Sequence, residues 1–250
     1  MNTSRNTIAF LVLLAVCFLL LAMYSLFQYR TAAALEARNR QLQQELQKAD
    51  AIADDNAAVS SYKKLPARPE IQLRILQRQW RIALEVLQYL QRARYNTELQ
   101  NETGIYNERL KSLLDEMLDR SSSMLADSER LQPDIIWQTY NASGAAKLLS
   151  AFLLLEREQN VDKVQGVMRD ALTDFKSAID AVDKADVSPL QRNTPRWNFE
   201  MLNGEQFIKK IEVAKTDMEK NQVLKENLET LLPEMGGYAP GEPIETRIKK

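Results

Sequence analysis

The side chains of this sequence that could carry acid–base or metal chemistry are almost all carboxylates. The 250 residues include 34 Asp and Glu but no histidine, and Cys17 is the single cysteine. Without histidine the chain has no imidazole base, no Ser-His-Asp or Cys-His arrangement, and no zinc site of the usual His/Cys kind. Neither GxGxxG nor GxxxxGK[ST] occurs, so we expect no phosphate-binding loop of these types.

Two groups of carboxylates lie close enough in sequence to be considered as an acid pair or a divalent-ion site. They are Asp115, Glu116 and Asp119, and Glu156 with Glu158. On helices such groups usually form a solvated face, and no second cluster at i, i+3 spacing accompanies them. The missing histidine is compatible with one enzyme class, an all-helical, lysozyme-like glycosidase. Since neither group of carboxylates predicts a catalytic or metal-binding site, we expect no enzyme, no cofactor and no metal site.

The overall charge and composition indicate the fold class. The chain has 33 Lys and Arg against 34 Asp and Glu, a net charge of −1, whereas nucleic-acid-binding proteins normally have a basic excess on one face. Leu, Ala, Gln, Glu and Arg are abundant and there are only seven glycines, which is typical of a helical protein. We expect an all-α fold with no nucleic-acid partner.

An uncharged run near the N-terminus, Ile8–Phe27, predicts a transmembrane helix that follows a short tail, residues 1–7. At 1.5 Å per residue the run spans about 30 Å, the thickness of a bilayer's hydrocarbon core. A cleaved signal peptide has a shorter apolar region followed by a small-residue cleavage site. We therefore expect this helix to be retained as a membrane anchor.

Residues 28–65 are expected to form a spacer helix with a linker. The helix runs from Gln28 to about Val59, and a stretch with two prolines, 60–69, ends it. A heptad repeat fits this segment, with Ala32, Asn39, Leu46 and Ala53 at a, and Leu35, Leu42, Ala49 and Asn56 at d. Two interpretations remain open: a solvated spacer, or a short parallel homodimer through residues 32–56.

Residues 66–232 are expected to form one helical domain, followed by a disordered Gly/Pro-rich tail at 233–250. Its first helix, Ile71–Arg92, has apolar residues over an arc of about 220°, which is typical of a central helix. A loop framed by Ser188-Pro189 and Thr194-Pro195 is expected before the last helix. The other predicted helices are Ile105 to about Leu118, Ile135 through Leu155, one from about Asn160, and Trp197 to about Leu232.

The opposite face of the first helix carries a row of arginines that includes Arg74, Arg78 and Arg81. Such a row could bind anionic headgroups, glycan carboxylates or the acidic face of a protein partner. Alternatively it is solvated or pairs internally, since residues 60–103 have a net charge of +4 and residues 104–190 of −5. In the first case these arginines are candidate partner-binding residues.

The run Leu148–Leu155 is apolar on all sides but too short to span a membrane. It is therefore either buried core or the wall of a partner-binding groove. The sequence around this run also contains the elements of a repeat motif.

Tyr140-Asn141 matches the aromatic-Asn opening of a tetratricopeptide repeat, and Ala171-x3-Phe175-x2-Ala178 matches the second helix of the repeat. Arg196-Trp197-Asn198-Phe199-Glu200 then looks like the opening of a following repeat. Through these motifs, residues 135–200 resemble the tetratricopeptide-containing membrane subunits encoded with MoxR-type ATPases and von Willebrand factor A proteins. These are the Bat-type and MxaK-type proteins of bacterial envelopes.

The resemblance implies an adaptor in the bacterial inner membrane that assists assembly or maturation of an envelope complex. Its partners would be von Willebrand factor A or ATPase-associated subunits, contacted near Asn141 and Asn198. Arg30, Arg38 and Arg40 after the apolar run favour a cytoplasmic domain; the resemblance implies a periplasmic one, which we expect. The alternative is a coiled-coil component of a division or secretion apparatus.

Overall fold

The computed structural model describes residues 3–93, 96–158, 161–203, 219, 222 and 223. Over these residues the chain is all-α, as predicted, and contains no strand. The chain divides into two compact units, Met1–Ala51 and Ile52–Lys250. The predicted end of the last helix near Leu232 and the predicted tail at 233–250 lie outside the described residues.

The first unit is one helix, α1 (Thr3–Asp50), 48 residues long. Its apolar part is long and apolar enough to cross a membrane. Phe18, Leu21 and Phe27 each expose more than 60% of their surface, so this part of the helix offers apolar side chains to its surroundings on all sides. Such a surface is typical of a helix that contacts lipid.

The spacer helix ends earlier than predicted. α1 stops at Asp50, residues 51–54 are not helical, and a separate helix, α2 (Asp55–Tyr62), follows. Asp54 is the N-cap of α2, and its carboxylate accepts a hydrogen bond from the Ala57 backbone N–H at 2.7 Å. Because Asp is among the best N-cap residues, Asp54 is the local signal for this break. The predicted heptad positions 53 and 56 therefore lie outside α1.

The second unit is built around α3 (Pro69–Ala93), which contacts α2, α4 (Thr97–Gln100), α5 (Thr103–Ala126) and α6 (Pro133–Glu158). Pro69 is its first residue. At this position a backbone N–H would have no partner within the helix, so proline costs no hydrogen bond. The wide apolar arc is confirmed as buried surface, which includes Ile71, Leu76, Trp80 and Leu87. The central helix of this unit is therefore the one predicted.

α5 continues past Leu118, where the prediction ended it, and through the serines at 121–123. Its buried residues recur at helical spacing over the whole length, and Ser121 occupies one of these positions. Serine is only mildly unfavourable in a helix, so burial of Met124 one turn later keeps the helix intact. A 3₁₀ turn, Ser128–Arg130, precedes α6.

α6 forms an antiparallel hairpin with α7 (Val161–Val182), which contacts α8 (Pro189–Asn203). The loop predicted at 188–195 was wrong, because these residues begin α8. Ser188 Oγ accepts from the Gln191 N–H at 3.3 Å, and Gln191 Oε1 accepts from the Ser188 N–H at 3.1 Å. This is a capping box, and Pro195 lies inside the helix.

Candidate functional site: the arginine row of α3 and the contact of α6 with α8

The arginine row is paired internally through a carboxylate of α2. Arg78 Nη1 lies 2.5 Å from Asp55 Oδ1, and Arg81 Nη2 lies 3.2 Å from the same oxygen. The side chains of Asp55 and Arg78 are only 10% and 13% exposed, whereas Arg81 keeps 37%. Arg74 is half-buried. Of the two alternatives for Arg78 and Arg81, the structure shows internal pairing, with Asp55 of α2.

The polar contacts of Arg78 together outweigh its desolvation. Burial lowers the pKa of the Arg78 guanidinium, but the interactions with Asp55 and Tyr62 of α2 together raise it more, so the net shift is upward. Arg78 is therefore a permanent cation that needs an anion beside it. Sequence analysis missed Asp55 because its separation of 23 residues from Arg78 gives no helical spacing to recognise.

A second set of ion pairs and hydrogen bonds, the Glu116 network, joins the C-terminal end of α2 to α5 and α3. Lys63 Nζ and Arg120 Nη2 each lie 2.8 Å from Glu116 Oε1, and Arg120 also donates to Gln72. Burial raises the pKa of Glu116, but the hydrogen bonds from Lys63 and Arg120 lower it by more, so the net shift is downward. Glu116 is therefore an ion-pair residue, which is the opposite of what a general acid requires.

A cleft of about 480 Å³ opens beside the Glu116 network, between the start of α3 and the second half of α5. Its wall contains charges of both signs, Glu116, Asp119 and Asp127 with Arg120, next to apolar groups such as Pro69. Among the described residues, no group of three or more His, Cys, Asp or Glu side chains could hold a metal ion. The cleft therefore presents no single charge that would select a ligand.

Two tyrosines stack where α3 and α5 meet near α4. The rings of Tyr89 and Tyr106 have their centroids 4.0 Å apart, and Tyr89 Oη donates to Glu102 Oε2 at 2.9 Å. Burial and this hydrogen bond raise the pKa of Tyr89 to about 12. Tyr89 is therefore a protonated hydrogen-bond donor at neutral pH and cannot act as a base.

Asn141 and Asn198 contact each other in the interior. Asn198 Nδ2 donates to Asn141 Oδ1 at 2.9 Å, and each residue is only 2% exposed. The hydrogen bond joins α6 to α8, so a partner could reach either amide only if one of these helices moved. The structure therefore brings together the two asparagines predicted from the repeat motif, but in a buried contact between helices.

The apolar run 148–155 is core. Leu148, Leu149 and Phe152 are at most 1% exposed, and Ser150 and Leu154 are half-buried. Of the two alternatives for this run, burial by neighbouring helices is the one observed. No large exposed patch remains on it to form a groove wall.

Sequence analysis also missed a close approach between α6 and α7 at Gly144. An added Cβ on Gly144 would lie 2.7 Å from Cε1 and 2.9 Å from Cδ1 of Phe175. Lys147 Nζ lies 2.7 Å from Asp174 Oδ2 on the same side of the hairpin. The only signal for this contact was the glycine inside a helix, a position that usually has a packing reason.

Comparison with family models, with curated proteins and with solved structures found no match. A functional proposal therefore rests on the sequence and the structure of this chain alone.

Proposed function

We propose that this protein is a membrane-anchored helical scaffold that binds protein partners during assembly or maturation of a bacterial envelope complex. The observation that carries the proposal is α1, a single 48-residue helix whose apolar part leads directly into a polar helical stretch. About 30 Å of such a helix spans a bilayer, and the remainder projects from the membrane. The second unit is then tethered to the membrane.

The repeat motifs support the adaptor part of the proposal. The α6–α7 hairpin followed by α8 has the helix order of one tetratricopeptide repeat and the start of another. In this proposal Asn141 and Asn198 fix α8 against α6, and the partner contacts the outer surface of the unit. Arg81 is the best candidate there, since it keeps a third of its side chain exposed beside Asp55.

Membrane anchoring is tested by fractionation of cells that express the full chain. We expect it to stay in the membrane pellet after a carbonate wash, and a chain without residues 8–27 to appear in the soluble fraction. Alkaline phosphatase fused after residue 232 should be active, because we propose an inner-membrane protein with a periplasmic domain. A soluble full-length chain would contradict the membrane anchor. An inactive fusion would contradict the periplasmic orientation.

Partner binding is tested by crosslinking in the native membrane, followed by purification of the full chain and mass spectrometry. We expect the same subunits, of the von Willebrand factor A or ATPase-associated kind, to be recovered with wild type and to be reduced with Arg81→Gln. Lys111→Gln on α5, an exposed residue, is the control for loss of one surface charge. Equal recovery with both variants would place the partner surface elsewhere.

A second candidate is a coiled-coil structural component of a division or secretion apparatus. It is favoured by the unbroken course of α1 to Asp50 and by Leu35, which is 61% exposed at a heptad d position. Replacement of Leu35, Leu42 and Leu46 by Ser should then abolish self-association of the full chain in detergent. Replacement of Gln41, Gln44 and Lys48 by Ser, off the seam, should leave it unchanged.

A further inference from the structure

α2 contacts α3 in the way that a helical peptide contacts its receptor. It has eight residues, it lies between the non-helical segments 51–54 and 63–68, and it packs chiefly on α3. A helix this short is not stable alone in water. α2 is therefore helical because the surface of α3 holds it.

The contact residues of α2 have the spacing of a helix-in-groove ligand. Asp55, Ala58, Val59 and Tyr62 occupy positions i, i+3, i+4 and i+7, which lie on one face of a helix. The three apolar residues are 0%, 8% and 1% exposed, and Asp55 pairs with two arginines of α3. The groove thus selects a carboxylate followed by small, branched and aromatic side chains at fixed intervals.

We propose that this groove binds the α2 of a second copy of the chain, so that two neighbouring copies exchange α2. The second copy is the occupant because its α2 carries the carboxylate that complements Arg78 and Arg81, and the apolar residues that fit beside them. Exchange replaces each contact within a chain by the same contact between chains. The folded unit therefore loses no interaction in the exchanged dimer.

The connection between α2 and α3 is suited to open. It is a turn with local backbone hydrogen bonds, from Leu65 N to Tyr62 O and from Arg68 N to Pro66 O. Pro66 restricts Leu65 to extended conformations. The turn needs such conformations when it opens to let α2 reach a neighbouring copy. Only this turn must change its path when α2 moves to a neighbouring copy.

The α1 helix supplies the proximity that exchange requires. This step rests on the membrane anchoring in the proposed function, which fractionation tests separately. Two copies held in one membrane have the same orientation and a high effective concentration, so a weak intermolecular contact becomes populated. The exchange itself does not depend on the identity of any other partner.

The ion pair between Lys63 and Glu116 reports whether α2 lies on its own chain. Its 2.8 Å separation suits a carbodiimide, which joins an amine to a carboxylate without a spacer. Two full-length chains with different tags, Lys63→Gln and Glu116→Gln, are expressed together in membranes and treated with the reagent. Neither chain can form the bond internally, and the exposed pair contributes little to folding.

Exchange predicts a crosslinked dimer in which Lys63 of the Glu116→Gln chain is joined to Glu116 of the Lys63→Gln chain. With random pairing and complete exchange its yield is about one quarter of that from wild type. Either variant expressed alone should give no joined peptide. If wild type forms the bond and the mixed pair does not, α2 stays on its own chain and the proposal is wrong; absence of the bond in wild type also overturns it.

A further variant separates exchange from chance contact between neighbours. Asp55→Asn is added to the Glu116→Gln chain, which supplies α2, so the two arginines of the other chain lose their carboxylate. Because α2 without this carboxylate spends less time in any groove, exchange predicts a lower yield, whereas the yield from random collision of Lys63 with Glu116 would not change. An unchanged yield would show that the groove does not hold the exchanged helix.

Discussion

The contact of α2 with α3 and α5 and the contact of α6 with α7 and α8 differ in the forces that hold them. α2 is held by charges as well as by packing: Asp55 pairs with two arginines and Lys63 with Glu116, beside the buried Ala58, Val59 and Tyr62. The α6–α7 hairpin is held by close packing, with the ring of Phe175 against Gly144. Charged contacts depend on ionic conditions and on the presence of both partners, whereas packed contacts depend on shape and volume.

This difference locates the parts of the unit that could change state. Removal of α2 takes the carboxylate of Asp55 from Arg78 and Arg81, and the same carboxylate of another copy can replace it, so this contact can be exchanged. Separation of α6 from α7 would expose large apolar surface and the buried Asn141–Asn198 hydrogen bond. The hairpin is therefore the fixed part of the unit, and the attachment of α2 is the adjustable part.

The largest effect is expected at Phe175, which is fully buried. Phe175→Ala should lower the free energy of unfolding by about 3–5 kcal/mol, because the removed ring leaves a cavity between α6 and α7. Urea unfolding of the full chain in detergent, followed through the buried Trp80 and Trp137, measures the change. Leu172→Ala on the same helix, at a half-buried position, is the control and should lose less. An equal or smaller loss at Phe175 would contradict a tightly packed hairpin.

The hairpin and α3 were also the parts that sequence could predict well. Apolar residues recur at helical spacing throughout α3 and α7, and a pattern of that length is hard to obtain in a loop. Pro69 marked the start of α3 for a local reason, its tolerance at the first helical position. The resemblance to a repeat motif selected Asn141 and Asn198 as positions for partner contact; in the structure they lie in a buried contact with each other.

The missed features depend on contacts distant in sequence or on weak local signals. Residues 51–54 contain no Gly or Pro, so the end of α1 was not visible without the Asp54 cap. The pairing of Asp55 with Arg78 has no periodicity that a helical wheel could show. Burial of Asn141 and Asn198 was missed because polar residues are normally exposed, and only the fold places two of them together.

Asp55 tests the charged side of the comparison. Asp55→Asn should lower the free energy of unfolding by about 1.5–3 kcal/mol, because Arg78 stays largely covered and loses its charged hydrogen bond to Asp55. The loss is measured by the same urea titration at low ionic strength. Asp54→Asn is the matched control: Asn is an equally good N-cap, so the neighbouring charge is removed with little loss. Similar losses in both variants would mean that Asp55 acts through capping or net charge.

Gly144 tests the packed side. Gly144→Ala places a methyl group 2.7–3.0 Å from three atoms of the Phe175 ring, and overpacking of this kind costs about 1–3 kcal/mol. Since alanine favours a helix over glycine by about 1 kcal/mol, we expect a net loss of up to about 2 kcal/mol. Urea unfolding measures the change.

Gly166 in α7 is the matched control for this substitution, because nothing lies within 4 Å of its added Cβ. Gly166→Ala should stabilise the chain by up to about 1 kcal/mol. In the Phe175→Ala background the clash is gone, so Gly144→Ala should become stabilising too. If Gly144→Ala is destabilising in both backgrounds, the close approach to Phe175 is not the cause.

The smallest effect is expected at Glu116, whose ion pairs are partly exposed. Glu116→Gln should lower the free energy of unfolding at pH 7 by about 0–1 kcal/mol. The folded-state pKa of Glu116 is below its ordinary value of 4.5, so its ion pairs stabilise the chain above that pH. This stabilisation is lost as the pH falls through the folded pKa, and the difference between wild type and variant should therefore shrink at acidic pH. Asp119→Asn, at an exposed carboxylate one turn along α5, should change stability at pH 7 by less. If the difference for Glu116→Gln grows as the pH falls, burial and not the ion pairs with Lys63 and Arg120 would determine the direction in which the pKa of Glu116 is shifted.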